Sequence, residues 1–253
     1  MGIVFLARRR PESQSVALKV LRNELAEDEL YRRRFQREAR IASELDHQHV
    51  VPVIDFGEAS GRLYIASRYI PGVSLAERIA ETGPLSLDDL IRLATELSRA
   101  LDALHDRGLV HRDVKPANVM MDELGAARLT DFGLARSEAD TVLTKSGFVV
   151  GTVDYLAPEL IRGQRASRSS DVYAFGCVLY ECLAGVPPFA GKSFVDTLVA
   201  HVGHEPPELR VHRDDLPEPV SWAIVRALAK DPAARPKTAT AYARIVRASA
   251  EPG

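Results

Sequence analysis

The sequence has 253 residues and a 46% apolar share, which allow one large domain or two smaller units with an ordinary buried core. Its 33 basic and 35 acidic residues nearly balance, so no global charge indicates a nucleic acid or a membrane surface as partner. Cys177 and Cys182 do not form a disulfide framework, and they predict buried thiols in a reducing compartment. Without a membrane-length apolar run or a signal segment, the sequence predicts a cytoplasmic protein.

The first part of the chain predicts strands around one helix. Residues 3–9 and 15–21 are rich in β-formers, and residues 50–56 and 63–70 return to the same pattern. Between these strand pairs, residues 26–45 have a helical period with one charged side. A rough apolar stripe on this helix consists of Leu30, Phe35, Ala39, Ile41 and Leu45.

After Pro71 the pattern becomes mainly helical. Apolar residues at helical spacing follow the N-cap candidate Ser86, and Gly108 ends that helix. Short strands are predicted at 119–121 and 128–130. The remaining predicted helices are at 169–184, which is apolar all round and therefore buried, and near 193–204, 219–230 and 238–249. The sequence thus predicts an α+β protein with a small strand-rich lobe and a larger helical lobe, joined near residues 68–72.

Several short motifs occur in a fixed order along this layout. The segment His-Arg-Asp-Val-Lys-Pro-Ala-Asn occupies residues 111–118, Asp-Phe-Gly follows at 131–133, and Ala-Pro-Glu at 157–159. Upstream, Val-Ala-Leu-Lys lies on a predicted strand at 16–19, and Glu38 lies on the next helix. In this order the motifs resemble those of the protein kinase family, and within it the eukaryotic-like (Hanks-type) bacterial serine/threonine kinases. The resemblance covers essentially the whole chain.

The resemblance implies a bilobal fold, with residues 1–70 as an N-lobe cut at its glycine-rich loop and residues 71–253 as the C-lobe. It implies transfer of the γ-phosphate of ATP to serine or threonine hydroxyls of protein substrates, in signal transduction. The expected cofactors are ATP and Mg²⁺, with Mn²⁺ as an alternative ion. A homodimer through the N-lobe is a further expectation taken from relatives.

The resemblance also assigns the catalytic residues. Phosphoryl transfer depends on positioning and on neutralising charge. Lys19 is expected to contact the α- and β-phosphates, and Glu38 to pair with it. Asp113 is expected to accept the proton of the substrate hydroxyl as general base, and Lys115 to contact the γ-phosphate.

For the nucleotide and the metal ion, oxygen ligands and apolar walls are expected. Asn118 and Asp131 offer the hard oxygen atoms that suit Mg²⁺. The adenine pocket and phosphate loop are assigned to Gly2, Val4, Ala17, Met120 and the backbone of Ile70.

Regulation is expected at Arg112, which in such kinases binds a phosphate on the activation segment. The candidate phosphate acceptors are Thr141, Thr144 and Ser146, with Thr144 slightly favoured.

Three other residues are expected to be structural. Glu159 and Arg235 are expected to form a buried ion pair. Asp171 is expected to brace the loop that contains residues 111–113, in which His111 is also structural. His47 and His49 are interpreted as packing residues rather than as a metal site.

The start of the chain departs from the family pattern Gly-x-Gly-x-x-Gly-x-Val. Gly2 fits the third glycine and Val4 the valine, while the first strand and two glycines do not appear. Residues 3–9 would then form an exposed edge strand. Our hypothesis is that translation begins upstream and that Met1 lies inside the loop, which the upstream codons would decide.

Two alternatives to an active serine/threonine kinase remain open. One is a pseudokinase, a binding module that the shortened loop favours and the intact catalytic residues disfavour. The other is a kinase of small molecules, against which Lys115, the Ala-Pro-Glu motif and Arg235 indicate a protein substrate.

Overall fold

The computed structural model describes residues 2–10, 13–21, 28–131, 153–191 and 193–251. In these ranges a four-stranded sheet with one helix precedes a three-stranded sheet and a mainly helical region. This arrangement confirms the predicted α+β class with two lobes. No helix in the described ranges is both long enough and apolar enough to span a membrane.

The sheet of the small lobe is antiparallel throughout, in the order β1-β2-β4-β3. Its strands are β1 (Ile3–Arg9), β2 (Gln14–Val20), β3 (Val53–Ala59) and β4 (Arg62–Arg68). Among the described residues β1 is an edge strand, and the side chains of Ile3 and Leu6 are 65% and 68% exposed. The expected exposed edge is therefore present.

Helix α1 (Glu29–Ser43) begins where the Asp28 carboxylate accepts hydrogen bonds from the first free backbone amides. Its buried face begins at Tyr31 and repeats four and eight residues later. Leu30 is 79% exposed, so its assignment to the apolar stripe was wrong: it lies one residue, about 100°, off that face. Glu38 lies on the buried face and is only 7% exposed.

The large lobe begins with a three-stranded antiparallel sheet in the order β5-β6-β7. Its strands are β5 (Gly72–Ser74), β6 (Val119–Asp122) and β7 (Ala127–Leu129). The helices are α2 (Leu75–Thr82), α3 (Leu87–Asp106), α4 (Pro158–Ile161), α5 (Arg168–Ala184), α6 (Phe194–Gly203), α7 (Glu218–Val225) and α8 (Ala239–Ala250).

Helix α5 forms the centre of the large lobe. Of its 17 residues 13 are buried, and it contacts α3, α7 and α8. This burial is what a helix that is apolar all round requires. Gly176 lets the helix approach its neighbour closely, because a Cβ atom there would lie 2.7 Å from the Cβ of Ala227.

Helix α3 starts and ends close to the predicted positions. The hydroxyl of Ser86 accepts the backbone N–H of Asp89 at 3.1 Å, as expected of an N-cap. The last cap residue is Arg107, and Gly108 follows in the left-handed conformation with φ of 73°.

The sequence reading missed β5 and α2. A signal for α2 was present, because Ser74 and Glu77 form a reciprocal capping box across its first turn.

Candidate active site

The loop at residues 111–113 is fixed to the buried helix α5 through one carboxylate. Asp171 accepts the backbone N–H of His111 at 2.7 Å and that of Arg112 at 2.9 Å. Its side chain is almost fully buried, so these charge-assisted hydrogen bonds lie in a low-dielectric environment. Asp171 therefore lies where the sequence placed it, beneath the loop.

A second brace, which sequence reasoning missed, is His105 on α3. Its Nε2 atom lies 2.8 Å from an Asp171 carboxylate oxygen, and its Nδ1 atom lies 3.8 Å from Asp102. Burial opposes its positive charge, but the hydrogen bond to Asp171 and the nearby carboxylate of Asp102 raise the pKa of His105 above its ordinary value. The i, i+3 spacing of Asp102 and His105 on α3 was the available signal.

His111 connects the loop to the end of β7. Its Nδ1 atom accepts the backbone N–H of Asp113 at 3.3 Å, and its Nε2 atom donates to the carbonyl of Thr130 at 3.0 Å. Burial lowers the pKa of His111, which fits a neutral ring with its proton on Nε2. The side chain thus holds two catalytic segments at a fixed separation.

Asp113, Lys115 and Asn118 lie together in the loop. The Lys115 ammonium is 3.0 Å from the Asp113 carboxylate, and the Asn118 amide donates to the carboxylate at 3.0 Å and to the Asp113 carbonyl at 2.7 Å. The 3₁₀ turn Pro116–Asn118 returns the chain so that Asn118 reaches back five residues. Because the Asn118 amide nitrogen faces Asp113, its oxygen is left as an acceptor for a cation.

Lys19 and Asp131 bring the two lobes together at the same site. The Lys19 ammonium on β2 lies 3.1 Å from the Asp131 carboxylate, just after β7. Asp131 has a φ of 59°, a left-handed conformation that Asp tolerates better than most residues. Phe132 and Gly133 of this motif lie outside the described residues.

The expected pair between Lys19 and Glu38 is wrong for this structure. The Glu38 carboxylate is instead held bidentately by the Arg112 guanidinium, at 3.0 and 3.1 Å. A planar guanidinium matches both oxygens of a carboxylate, whereas an ammonium is a point charge. Lys19 pairs instead with Asp131. Arg112, which was expected to bind a phosphate on the activation segment, already has Glu38 as its anionic partner.

The residues expected around adenine come from three strands and the segment between β4 and β5. Val4 on β1 is 55% exposed, Ala17 on β2 and Met120 on β6 are partly buried, and Ile70 is 9% exposed between β4 and β5. Gly2 lies so close to the backbone of β2 that a Cβ atom would be 2.0 Å from the carbonyl oxygen of Val20. A side chain at this position is therefore excluded without movement of the strand.

Glu159 and Arg235 form the predicted ion pair in the large lobe. The two guanidinium nitrogens donate to the two carboxylate oxygens, each at 2.8 Å, and the side chains are 4% and 0% exposed. Ser170 also donates to Glu159 at 2.8 Å. Burial opposes the ionised form, but the bonds from Arg235 hold the pKa of Glu159 below its ordinary value.

The described residues contain no group of three or more His, Cys, Asp or Glu side chains arranged to hold a metal ion. Mg²⁺ commonly uses one or two protein carboxylates together with substrate phosphates, so the oxygens of Asn118 and Asp131 fit this ion. His49 lies against the carbonyl of Ala127 at 3.0 Å, which gives it a packing role. Thr141, Thr144 and Ser146 lie outside the described residues.

Comparison with known proteins agrees with this geometry. The family model "Protein kinase domain" matches residues 1–244. Serine/threonine-protein kinase PrkC of Bacillus subtilis is 39% identical over 239 residues, with 94% of this chain and 37% of PrkC covered. Serine/threonine-protein kinase PknB of Mycolicibacterium smegmatis is 43% identical over 246 residues, with 94% of this chain and 39% of PknB covered. The chain thus spans less than two fifths of the length of these two relatives.

Among solved structures, the crystal structure of the Mycobacterium tuberculosis PknI kinase domain matches with a TM-score of 0.79 and 34% identity. The match covers 99% of this chain and 92% of that one. PrkC and PknB are bacterial serine/threonine kinases, the group that the motif order indicated. The chain therefore belongs to the protein kinase family.

Proposed function

We propose that the chain transfers the γ-phosphate of ATP to serine or threonine hydroxyls of protein substrates. The observation that carries this proposal is the cluster of Asp113, Lys115 and Asn118 with the Lys19–Asp131 pair opposite. It combines a candidate base, two cations and two oxygen ligands. Bound ATP and Mg²⁺ would supply the phosphoryl group and neutralise its charge.

Each residue then has one role in the proposed reaction. Asp113 accepts the proton of the substrate hydroxyl, and Lys115 beside it steadies the negative charge of the phosphoryl group. Lys19 orients the nucleotide phosphates, while Asn118 and Asp131 hold the metal ion. The buried Glu159–Arg235 pair, which steadies the segment after residue 152, supports a protein rather than a small-molecule substrate.

The first prediction tests Asp113 with a nearly isosteric change. Asp113→Asn removes the proton acceptor, so transfer of labelled phosphate to protein should fall by at least about 100-fold. Asp88→Asn on the exposed start of α3, where the structure records no side-chain contact, is the matched control and should retain activity. Equal activity of the two variants would contradict the assigned base.

A pseudokinase is the second candidate, and the Glu38–Arg112 pairing favours it because Lys19 lacks its expected partner. The two proposals differ in one measurable outcome. A pseudokinase would show nucleotide binding in calorimetry. It would transfer no labelled phosphate to protein, either as the unaltered protein or as the Asp113→Asn variant.

We also propose autophosphorylation on Thr141, Thr144 or Ser146. A phosphate on this segment would compete with Glu38 for Arg112, and the released Glu38 would be free to pair with Lys19. The second prediction is that activity rises with a lag during incubation with ATP and Mg²⁺, in step with phosphate on one of these residues by mass spectrometry. Full activity with all three unmodified would refute this regulation.

We further propose a compartment and a partner for the chain. The two cysteines are unpaired and buried, which supports a reducing compartment such as the cytoplasm and a role in signalling there. The exposed apolar side chains of β1 support a homodimer through the small lobe. We assign the small lobe to residues 1–70 and the large lobe to residues 71–253.

A further inference from the structure

A cavity of about 390 Å³ opens in the large lobe between the β5–β6 pair and helices α2 and α3. Its apolar lining comes from Val73, Leu85, Leu93 and Met121. None of the residues proposed for phosphoryl transfer lines it. Its volume lies within the range of about 300–1,000 Å³ in which small ligands bind. Beside the apolar walls it is lined by six charged residues: Arg78, Asp89, Arg92, Glu96, Asp122 and Glu123.

The polar group that distinguishes this cavity is the guanidinium of Arg78 on α2. Its Nη1 atom is buried and has no hydrogen-bond partner among the described residues. A buried donor left without a partner costs about 1–3 kcal/mol, and more when the group is charged. Arg78 also lines the cavity, so an anionic group placed there would supply a counter-charge to its guanidinium.

The acidic residues around the cavity are already engaged. Asp89 accepts from Arg92 and from the hydroxyl of Ser86, both at 2.8 Å. Glu96 accepts the backbone N–H of Ala127 at 2.8 Å.

Asp122 likewise accepts two backbone amides and the guanidinium of Arg128. The fourth acid, Glu123, has an exposed side chain and is screened by water. Asp89 and Asp122 are therefore paired with arginines, and Glu96 is engaged by a backbone amide. Among the described residues, Arg78 is the cation of the lining for which no side-chain partner is recorded.

We propose that this cavity binds a carboxylate that carries an apolar group. The carboxylate binds Arg78, and the apolar group packs on Leu85, Leu93 and Met121. A free amphipathic acid and an acidic side chain beside an apolar one in a peptide share this chemistry. The proposal does not rest on the kinase activity, and its test uses no turnover.

Neighbouring methionines on β6 provide the assay. Successive side chains of a strand point to opposite faces, so Met121 reports on the cavity and Met120 on the proposed nucleotide pocket. Methyl NMR of ¹³C-methionine-labelled protein would follow titrations with 4-phenylbutyrate, its uncharged amide, and the acetylated dipeptide amide Leu-Asp. ADP would serve as the reference ligand for Met120.

We expect a saturable shift of the Met121 methyl signal with the acid or the peptide, and none with the uncharged amide. Arg78→Gln should weaken that binding at least about tenfold, a loss of 1.4 kcal/mol. Arg62→Gln, at an exposed position at the start of β4 where the structure records no side-chain contact, should leave binding unchanged. Whichever of the acid and the peptide binds more tightly identifies the source of the carboxylate.

Three results would overturn the proposal: no saturable shift with either ligand, equal binding of the acid and its amide, or a shift of Met120 in place of Met121. If Arg78→Gln fails to fold, the comparison of the acid with its amide on the unaltered protein still tests whether binding requires the carboxylate. Failure of phosphoryl transfer in the Asp113 assay would leave this test untouched.

Discussion

Breaking the buried Glu159–Arg235 pair should produce a large loss of stability. Glu159→Gln leaves a guanidinium that is 0% exposed without its counter-charge, and three backbone carbonyls accept its remaining hydrogen bonds. Arg235→Met leaves a buried carboxylate without its counter-charge, although the Ser170 hydroxyl still donates to it. Each change should cost about 3–5 kcal/mol, the range for an uncompensated buried charge.

The assay is urea denaturation followed by circular dichroism, with an exposed pair as control. The Arg168–Asp106 pair has a similar distance of 3.1 Å, but its side chains are 37% and 73% exposed. Arg168→Met should therefore cost no more than about 1 kcal/mol. If both buried-pair variants cost as little as this control, the reasoning from burial is refuted.

The stability that the Glu159–Arg235 pair contributes should depend on pH. The pKa of Glu159 is lowered in the folded protein, so its contribution is present above the unfolded pKa of about 4.3 and is lost as pH falls through the folded value. Without Arg235, burial alone should raise that pKa, and protonation then relieves the buried charge. The cost of Arg235→Met should consequently shrink as the pH is lowered toward about 4, whereas a cost independent of pH would contradict this account.

Two further predictions concern the interior of the large lobe. Because the pKa of His105 is raised in the folded protein, its contribution is complete below about pH 6.5 and is lost as pH rises through the folded value. His105→Gln should therefore destabilise more at pH 5.5 than at pH 8.5 in urea titrations, and an equal loss would argue against a charged ring. Gly176→Ala should destabilise by about 1–3 kcal/mol despite the better helix propensity of alanine, because its Cβ would meet that of Ala227 at 2.7 Å; a higher melting temperature would refute this.

Periodicity predicted most of the framework because burial and hydrogen bonding leave a regular trace in the sequence. The all-round apolar pattern of 169–184 predicted a helix buried on all sides, and the N-cap residue Ser86 predicted the start of α3. By contrast, Leu30 and Tyr31 are both apolar enough to fit the stripe. Only packing against the sheet decides which of the two faces inward.

The partners of charged residues were less predictable than their positions. The motif order indicated that Lys19 would pair with Glu38, whereas the structure pairs Lys19 with Asp131 and Glu38 with Arg112. It could not indicate which cation pairs with which carboxylate, because the sequence does not give the distances between these side chains in the folded protein. The brace from His105 escaped notice for a related reason: two residues on a helix do not reveal which buried carboxylate they will meet in three dimensions.

The attachment of the catalytic loop to Asp171 limits how the protein can change its activity. The carboxylate of Asp171, on the buried helix α5, accepts hydrogen bonds from two consecutive loop amides. His105 forms a further hydrogen bond with the same carboxylate. Moving the loop would require breaking buried contacts of α5 in the core of the large lobe. Such a motion costs more free energy than moving a surface element. Changes in activity are therefore expected from groups that move relative to this fixed loop, such as helix α1 with Glu38, the side chain of Arg112 and the substrates.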